Sequence, residues 1–492
     1  MPGRTYRRAS LSAVALASLA LSGCDGILDV ELPGQLVDSD VFTPDNAELL
    51  VNSAIADFEC AYSMMSATLT TVGEESWAGT GGWGTAHGDY ATLTPGQGHC
   101  PDNSDVDTDW WHGYERARLF SEAAYQRLSE EWTDVPNRER LMATAAVYAG
   151  LVYDFLGSTF CEYAFPEESI VPPSDVLRRG EAWLTTALEV MGPDDYAITS
   201  TQSLKQLAHL VRARIRRTLG DDIGAAEDAA QIQPGFVAWV TRDGSERGRW
   251  NEVYYTQYGF RYRTVAGPRW WSDFAPDQLV SAGMWDLTIA TDGTGRHTVG
   301  DGVPDVRVPE VNTHTPILDG FTPFHRQEKY TSVGDPHRMA SWQEAQLILA
   351  EIERGQSAVA RINAIRDVHG LPHFASSDEE EIFSAIIEER RREFFLEGAR
   401  HFMDKLRFGL WFPRGRGSTR VGDRYGFAYC LVLPATAYEL NPNVPADYIG
   451  PDLTDLSYTW ELQVDEKPNW PVPASLPQFD VMDFDAIPWS QW

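Results

Sequence analysis

Apolar residues recur at intervals of three and four along much of the chain, which is the pattern of amphipathic α-helices. This spacing predicts helices over residues 45–62, 109–131, 138–156, 173–190, 201–219, 223–232, 338–354 and 357–368. Several of these helices follow one another closely enough to pack as antiparallel pairs. Repeated helix pairs indicate a degenerate tetratricopeptide-like scaffold, with an ordinary all-α bundle as the alternative. We therefore expect a mainly α fold.

A further long helix is predicted within residues 379–409. Ile382 and Ile386 recur at helical spacing and belong to one apolar stripe. Asp378 is a candidate N-cap, as are the two serines before it, and acidic residues in the first turn suit the helix dipole. Gly398 is expected to end the helix in a left-handed conformation.

Two long segments interrupt the helical pattern, residues 73–105 and 235–335. Turn-forming residues punctuate both segments, which predicts loops and short strands. Long loops inside a compact domain are often functional, and an aromatic ring offers a flat apolar face to a ligand. The candidate ligand-binding residues are Trp77, Trp83, Tyr90, Trp270, Trp271 and Trp285. In the alternative interpretation these rings only hold the loops against the core.

The composition is acidic and aromatic. The 492 residues carry a formal net charge of −32, and 12% of them are aromatic. Such a charge repels nucleic acid and anionic membrane surfaces, so neither is expected as a partner. The basic run at residues 212–217 is isolated in this background. We expect it to be one face of its helix or a source of salt-bridge partners.

The N-terminal residues resemble a bacterial lipoprotein leader. A basic start, with Arg4, Arg7 and Arg8, precedes an apolar run at 11–21 that is too short to span a bilayer. The four residues Leu-Ser-Gly-Cys that end at Cys24 fit a lipobox. We expect residues 1–23 to be a signal peptide, Cys24 to be lipidated, and residues 24–44 to be an extended tether.

The other cysteines are Cys60, Cys100, Cys161 and Cys430. An exported chain meets an oxidising compartment, so we expect at least one disulfide, although four cysteines allow three complete pairings. Cys60 ends one predicted helix and Cys161 follows another, which favours a Cys60–Cys161 bridge. Four buried thiols are the alternative.

Motifs of well-known catalytic sites are missing from the sequence, including HExxH, CxxC, GxSxG and the P-loop pattern. Glu388 and Glu389 could serve as glycosidase carboxylates, but on a charged helix they are expected to face solvent. His369 and His373 are expected to be loop or cap residues. The Asp- and Gly-rich stretch 292–305 predicts turns rather than a cation loop. No cofactor, metal or catalytic residue is predicted.

The end of the long predicted helix closely resembles the near-C-terminal signature of the SusD/RagB-like family. That signature runs E-R-R-x-E-F-x-x-E-G-x-R-x-x-D-L-x-R-x-G. The matching residues are Glu389, Arg390, Arg391, Glu393, Phe394, Glu397, Gly398, Arg400, Asp404, Arg407 and Gly409. Lys405 departs from the pattern, since the family usually has Leu there. Weaker resemblances lie at 343–351, 361–372, 430–434 and 439–443.

This resemblance implies a SusD-like fold in which tetratricopeptide-like helix pairs support an irregular, loop-rich ligand-binding side. It implies one domain over residues 45–492, with a helical scaffold at about 45–234 and 336–410. Residues 444–492 extend past the usual family end.

The resemblance also implies an outer-membrane lipoprotein on the cell surface. Such a protein captures a nutrient, usually an oligosaccharide, and delivers it to a SusC-like TonB-dependent transporter. The alternatives are a membrane-anchored helical glycoside hydrolase and a tetratricopeptide-type protein-binding scaffold.

Overall fold

The computed structural model describes residues 42–73, 75–78, 110–166, 168–258, 263–265, 305–318, 323–408, 430–448 and 450–451. The chain divides into two compact units, Met1–Asn46 and Ala47–Trp492. In the first unit the described part is a bend followed by a short 3-10 helix, Pro44–Asn46. The second unit contains the helices and strands discussed below.

The described chain is mainly α-helical, as predicted. The helices are α1 (Ala47–Val72), α2 (Trp110–Glu130), α3 (Arg138–Thr159), α4 (Pro173–Met191), α5 (Leu204–Leu219), α6 (Asp222–Ala229), α7 (Glu252–Tyr258), α8 (Trp342–Glu353), α9 (Gly355–His369), α10 (Glu379–Glu393), α11 (Arg400–Phe408) and α12 (Ala435–Glu439). The strands are β1 (Ser76–Ala78), β2 (Val237–Val240), β3 (Arg263–Val265), β4 (Glu310–Pro316), β5 (Pro323–Gln327) and β6 (His337–Ser341). They form antiparallel pairs: β1 with β3, β2 with β6, and β4 with β5.

Helix α3 lies at the centre of the core. Every residue from Leu141 to Thr159 is buried, which fits a helix that is apolar on all faces. Among the described residues α3 is long and apolar enough to cross a membrane, yet its apolar stretch is wholly enclosed by the protein. Small residues let α4 approach closely, because a Cβ added at Gly150 would lie 2.5 Å from Cγ of Leu184.

Helix ends follow local capping chemistry. Ser203 caps α5 by accepting a hydrogen bond from the backbone N–H of Gln206, and Gly220 ends that helix at φ 88°. Asp378 caps α10 as predicted, since its carboxylate accepts the N–H groups of Glu380 and Glu381 at 2.9 Å.

The predicted helix over 338–354 is wrong in its first residues. The segment begins as β6, which pairs with β2, and α8 starts only at Trp342. Ser341 has extended backbone angles, φ −154° and ψ 162°. Pairing with a strand about a hundred residues earlier in the chain overrides the local helical pattern here.

The predicted helix within 379–409 is broken in two. Helix α10 ends at Glu393, and α11 begins at Arg400. Gly398 is in the left-handed region as predicted, at φ 58°, but it lies in the connecting turn and does not end α10. The turn brings this glycine against α1, where an added Cβ would lie 2.5 Å from the hydroxyl oxygen of Tyr62.

The structure contains a disulfide, but the predicted Cys60–Cys161 pairing is wrong. Cys161 pairs with Cys430, and their Cα atoms are 5.1 Å apart. Cys60 is also disulfide-bonded, to a partner other than Cys161. The reason is a backbone contact beyond α3. The N–H of Cys161 donates to the carbonyl of Leu431 at 2.9 Å, which places the neighbouring Cys430 beside it.

Candidate ligand-binding side

The two irregular segments meet in space. Strand β1 belongs to the first segment and β3 to the second, and they pair antiparallel with Trp77 opposite Thr264. Helix α7 contacts β3 and β5, and β3 also contacts β5. Together β1, β3, β4, β5 and α7 form one continuous structure, which we call the ligand side. Helix α1 supports it by contacting both β1 and α7.

Most of the predicted site residues lie outside the described residues. These are Trp83, Tyr90, Trp270, Trp271, Trp285 and the lipidation candidate Cys24. Trp77 is described through its backbone, which places it on the ligand side in β1. The assignment of all six aromatic residues to ligand binding therefore stays a prediction.

Helix α7 adds two aromatic groups to the ligand side. The rings of Tyr254 and Tyr258 stack with centroids 4.3 Å apart and planes inclined by 20°. At the start of the helix, the rings of Trp250 and Tyr255 lie 5.0 Å apart. The guanidinium of Arg247 lies 3.8 Å from the Tyr255 ring centroid and 4.8 Å from that of Trp250, within cation–π range.

Each of these four rings is half-buried. The hydroxyl of Tyr258 donates to the carbonyl of Gln327 at 3.0 Å, which joins α7 to β5. Burial, together with the charge of Glu328, raises the pKa of Tyr258 to about 12, so its phenol is neutral at physiological pH. The rings are fixed in place, and the guanidinium of Arg326 lies 4.9 Å from the Tyr258 ring centroid. Half-buried aromatic rings are the groups that pack against the C–H faces of a sugar ring.

Tyr254 and Tyr258 were not predicted from the sequence, where tryptophans had priority. The usable signal was the i, i+4 spacing of two tyrosines on a short helix. The irregular composition of this segment concealed that helix.

Helix α10 anchors the ligand side by buried ion pairs. Glu389, expected to face solvent, is only 1% exposed. Its carboxylate accepts hydrogen bonds from Arg307 at 2.5 Å and from Arg366 at 2.7 Å. Arg307 precedes β4, so this pair ties the ligand side to the scaffold. Glu388 pairs with Arg392 one turn further along the same helix, at 2.6 Å.

A second anchor follows immediately. Burial alone would raise the pKa of Glu393, but a hydrogen bond from His369 and the charges of Arg338 and Arg307 lower it to about 2. The carboxylate therefore stays ionised and holds Arg338 at 2.9 Å.

The turn between α10 and α11 provides a third anchor. The ammonium of Lys329, just beyond β5, lies 2.6 Å from both the carboxylate of Glu397 and the carbonyl of Phe395. Glu389, Glu393 and Glu397, which match the family signature, thus hold the ligand side in place on the helical scaffold. They are structural residues in this arrangement, since each pairs with an arginine or lysine side chain inside the protein.

One carboxyl group at this junction behaves differently. Glu75 precedes β1, and its side chain accepts the N–H of Leu396 at 2.8 Å. Burial raises the pKa of Glu75 to about 8, against the opposing effects of that hydrogen bond and of Lys329. At neutral pH this carboxyl group is therefore mainly protonated.

Metal ligation is not indicated in the part of the chain that the structure describes, which contains no cluster of three His, Cys, Asp or Glu side chains suited to a metal ion. The two histidines discussed above each pair with a carboxylate. His369 binds Glu393 at 2.9 Å, and His373 binds Asp367 at 2.7 Å.

The basic run on α5 is a set of salt-bridge partners, which confirms one of the two expectations for it. Arg212 binds Asp228 at 2.8 Å, and Arg214 binds Glu344 at 2.6 Å. These pairs connect α5 with α6 and with α8.

The helix pairs, the short strand pairs and the anchored irregular side together define a helical scaffold with the SusD-like fold, as the sequence resemblance implied. A SusD superfamily protein from Bacteroides vulgatus superposes with a TM-score of 0.56 at 12% identity, covering 82% of this chain and 98% of that one. NanU from Bacteroides fragilis gives a TM-score of 0.54 at 12% identity, covering 84% of this chain and 98% of its own.

A third similar structure is named for a binding activity. It is a SusD-like carbohydrate-binding protein from Bacteroides vulgatus, with a TM-score of 0.53 and 13% identity over 74% of this chain and 83% of that one. No protein-family model and no curated protein sequence matches the chain. At these identities the likeness establishes the fold.

Proposed function

We propose that this protein is an outer-membrane lipoprotein on the cell surface, which captures an oligosaccharide and delivers it to a SusC-like TonB-dependent transporter. The observation that carries the proposal is the fold, which this chain shares with a SusD-like carbohydrate-binding protein. The lipobox that ends at Cys24 supports the membrane anchor.

The ligand side fits the binding role physically. Buried ion pairs hold it on rigid helices, so its rings are already positioned before a ligand arrives. Preorganised aromatic faces lose little conformational entropy on binding. The acidic surface favours a neutral glycan over a polyanion.

Binding can be tested by calorimetry with a panel of neutral oligosaccharides. Tyr254→Ala and Trp77→Ala should each weaken binding to the best ligand by about fivefold, because one stacked ring contributes on the order of 1 kcal/mol. The matched control is Tyr125→Ala, which removes a ring that packs at 5.2 Å on Trp183 in the helical scaffold.

The control should keep full affinity. The assignment of the ligand side fails if Tyr125→Ala loses as much affinity as the other two variants at unchanged melting temperature. Glycan binding itself is contradicted if the wild-type protein binds no member of a broad panel.

A non-catalytic role is part of the proposal. The glycoside hydrolase alternative requires two carboxyl groups facing each other across a substrate cleft. Prolonged incubation of the purified protein with its bound oligosaccharide should release no reducing sugar. Release that depends on one particular carboxyl residue would instead identify an enzyme.

Anchoring and delivery need separate experiments. Cys24→Ser should leave unprocessed precursor, and a variant that is still processed normally and stays membrane-bound would argue against lipidation. Affinity purification in mild detergent should recover a large outer-membrane β-barrel with the protein. Recovery of the protein alone under several detergent conditions would contradict the transporter role.

A further inference from the structure

The start of helix α7 is held on the scaffold by a buried hydroxyl group. The Oγ of Ser63, on α1, donates to the carbonyl of Trp250 at 2.9 Å and accepts the N–H of Glu252, the first residue of α7, at 3.1 Å. The side chain of Asn251 donates to the carbonyl of Asp335 at 2.9 Å. Helix α7 is therefore attached both to α1 and to the residues that lead into β6.

An imidazole completes this junction. His337, the first residue of β6, is fully buried, and its Nε2 lies 3.0 Å from the Oγ of Ser63. Because that hydroxyl already donates to Trp250, it accepts from the imidazole, which assigns the proton to Nε2. Nδ1 is then an acceptor, and it has no hydrogen-bond partner within the described part of the chain. The neutral imidazole fits this site, whereas a protonated one would carry an N–H at Nδ1 that no described group accepts.

The surroundings of the imidazole oppose a positive charge. Burial, together with the nearby charges of Arg242 and Lys329, holds the pKa of His337 well below its ordinary value. The rings of Tyr62 and Tyr330 pack on it with centroids 5.8 and 5.1 Å away. Burial raises the pKa of both phenols, so neither carries a negative charge that could neutralise an imidazolium.

The carboxylates on the elements around the junction bind other cations. These pairs are Glu59 with Arg242, Glu397 with Lys329 and Arg338, Glu393 with Arg338, and Glu252 with Arg247. The carboxylate of Asp335 accepts the N–H groups of Thr331 and Ser332. In the described chain none of these carboxylates hydrogen-bonds the imidazole, whose Nε2 faces Ser63.

From this geometry we infer that Ser63 and His337 form a latch, which holds α7 on the scaffold only while the imidazole is neutral. When His337 takes up a proton, water has to accept the new N–H and solvate the charge, which requires α7 to separate from α1 and β6. The rings of Tyr254 and Tyr258 then move away from the rest of the ligand side. Acidification therefore opens the ligand side, and neutral pH closes it. The consequence for glycan binding rests on the function proposed above, but the latch itself does not.

Hydrogen exchange, read by mass spectrometry on the full chain, tests the latch without a ligand. In the open form His337 titrates near its ordinary pKa of 6.5, so the open population grows as pH falls below that value. We expect the protection of peptides that contain α7, corrected for the intrinsic pH dependence of exchange, to fall about tenfold between about pH 7.5 and 5.5. Peptides from α3, which is enclosed by the core, should keep their protection. Constant protection of α7, or an equal fall in both helices, overturns the inference.

Every protein in this comparison carries Glu75→Gln. Burial raises the pKa of Glu75 to about 8, so its carboxyl group titrates over the same pH range with the opposite effect on stability. That carboxyl group accepts the N–H of Leu396, which belongs to the same apolar cluster as Val253 of α7. The substitution removes this second titration from the junction.

Two further variants assign the effect to His337. His337→Gln keeps an Nε2 donor for Ser63 but does not titrate, so α7 should keep equal protection at both pH values. The matched control is His373→Gln, which removes an exposed imidazole that pairs with Asp367 at 2.7 Å beyond α9. The control should retain the tenfold fall. A fall of the same size in His337→Gln, or its loss in the control, contradicts the assignment. The comparison of α7 with α3 stands even if His337→Gln does not fold.

Failure of the latch and failure of the proposed function give different results. Unchanged exchange of α7 contradicts the latch, whatever the protein binds. Exchange of α7 that depends on pH, in a protein that binds no oligosaccharide, supports the latch and contradicts the proposed function alone.

Discussion

The protonated carboxyl group of Glu75 should make the unfolding free energy of the protein depend on pH. In the unfolded chain its pKa is near the ordinary value of 4.5, and in the folded protein burial raises it to about 8. Between these two values the folded state binds a proton that the unfolded state has lost. This group therefore makes the protein less stable as pH rises from about 4.5 to 8, and its contribution is constant above that range.

The size of the effect follows from the pKa difference. One pKa unit corresponds to about 1.4 kcal/mol, so the interval from 4.5 to neutral pH costs roughly 3 kcal/mol in unfolding free energy. Glu75→Gln keeps an oxygen that can accept the N–H of Leu396 and carries no titrating proton. We expect this variant to match the wild type near pH 4.5 and to exceed its stability by roughly 3 kcal/mol at neutral pH.

Urea unfolding of both proteins across this pH range measures the difference directly. The matched control is Glu59→Gln on α1. Glu59 is also buried, but its carboxylate binds Arg249 at 2.8 Å and accepts the N–H of Thr241 at 2.9 Å. Neutralising it should destabilise the protein at neutral pH, because it removes the charge that faces the buried guanidinium of Arg242 at 3.5 Å. Parallel pH profiles for Glu75→Gln and the wild type would show that Glu75 is ionised in the folded protein.

Three further predictions rest on other parts of the structure. Peptide mapping without reductant should recover a Cys161–Cys430 peptide, and Cys430→Ser should lower the unfolding free energy by about 2–5 kcal/mol; recovery of two free thiols would contradict this. Burial alone would raise the pKa of Glu351, but the charges of Arg407 and Arg390 lower it to about 2. The stability that this ionised carboxylate contributes above about pH 4.5 should therefore be lost as pH falls towards 2, which calorimetry can measure. Gly398→Ala should lower the melting temperature without changing glycan affinity. Position 398 has a φ of 58°, which alanine adopts at a cost, and the added Cβ would lie 2.5 Å from the hydroxyl oxygen of Tyr62. An unchanged melting temperature would contradict this prediction.

Sequence patterns predicted the helical scaffold well, because local spacing determines which residues can share a helix face. Asp378 was recognised as a cap and Ile386 as a core residue, and the structure confirms both. Helix α1 continues to Val72, ten residues past its predicted end, because contacts on several sides bury its second half.

The sequence failed where residues far apart in the chain determine the conformation. Residues 338–341 read locally as helix, but strand pairing with β2 decides their conformation. Glu389 looked like a solvated acid, since a sequence does not show that Arg307 and Arg366 converge on it. The disulfide was mispaired for the same reason, because Cys430 reaches Cys161 through the tertiary contact of Leu431.

For the ligand side, composition predicted loops and short strands in two segments but not how the described strands of these segments are joined. The pairing of β1 with β3 involves strands of three residues, which are too short to carry an alternating pattern. The stacked tyrosines of α7 were hidden for a similar reason, since seven residues make barely two helical turns.

The bond between Cys161 and Cys430 also limits when the chain can be covalently closed during its synthesis. Its two cysteines are separated by 269 positions, so the covalent ring encloses all helices from α4 to α11. Because the ribosome makes a chain from its N-terminus, Cys161 emerges long before Cys430. Closing the ring is therefore a late step, and until then Cys161 is open to other oxidants and thiols. Once closed, a single proteolytic cut anywhere inside the ring leaves both pieces attached to the same molecule.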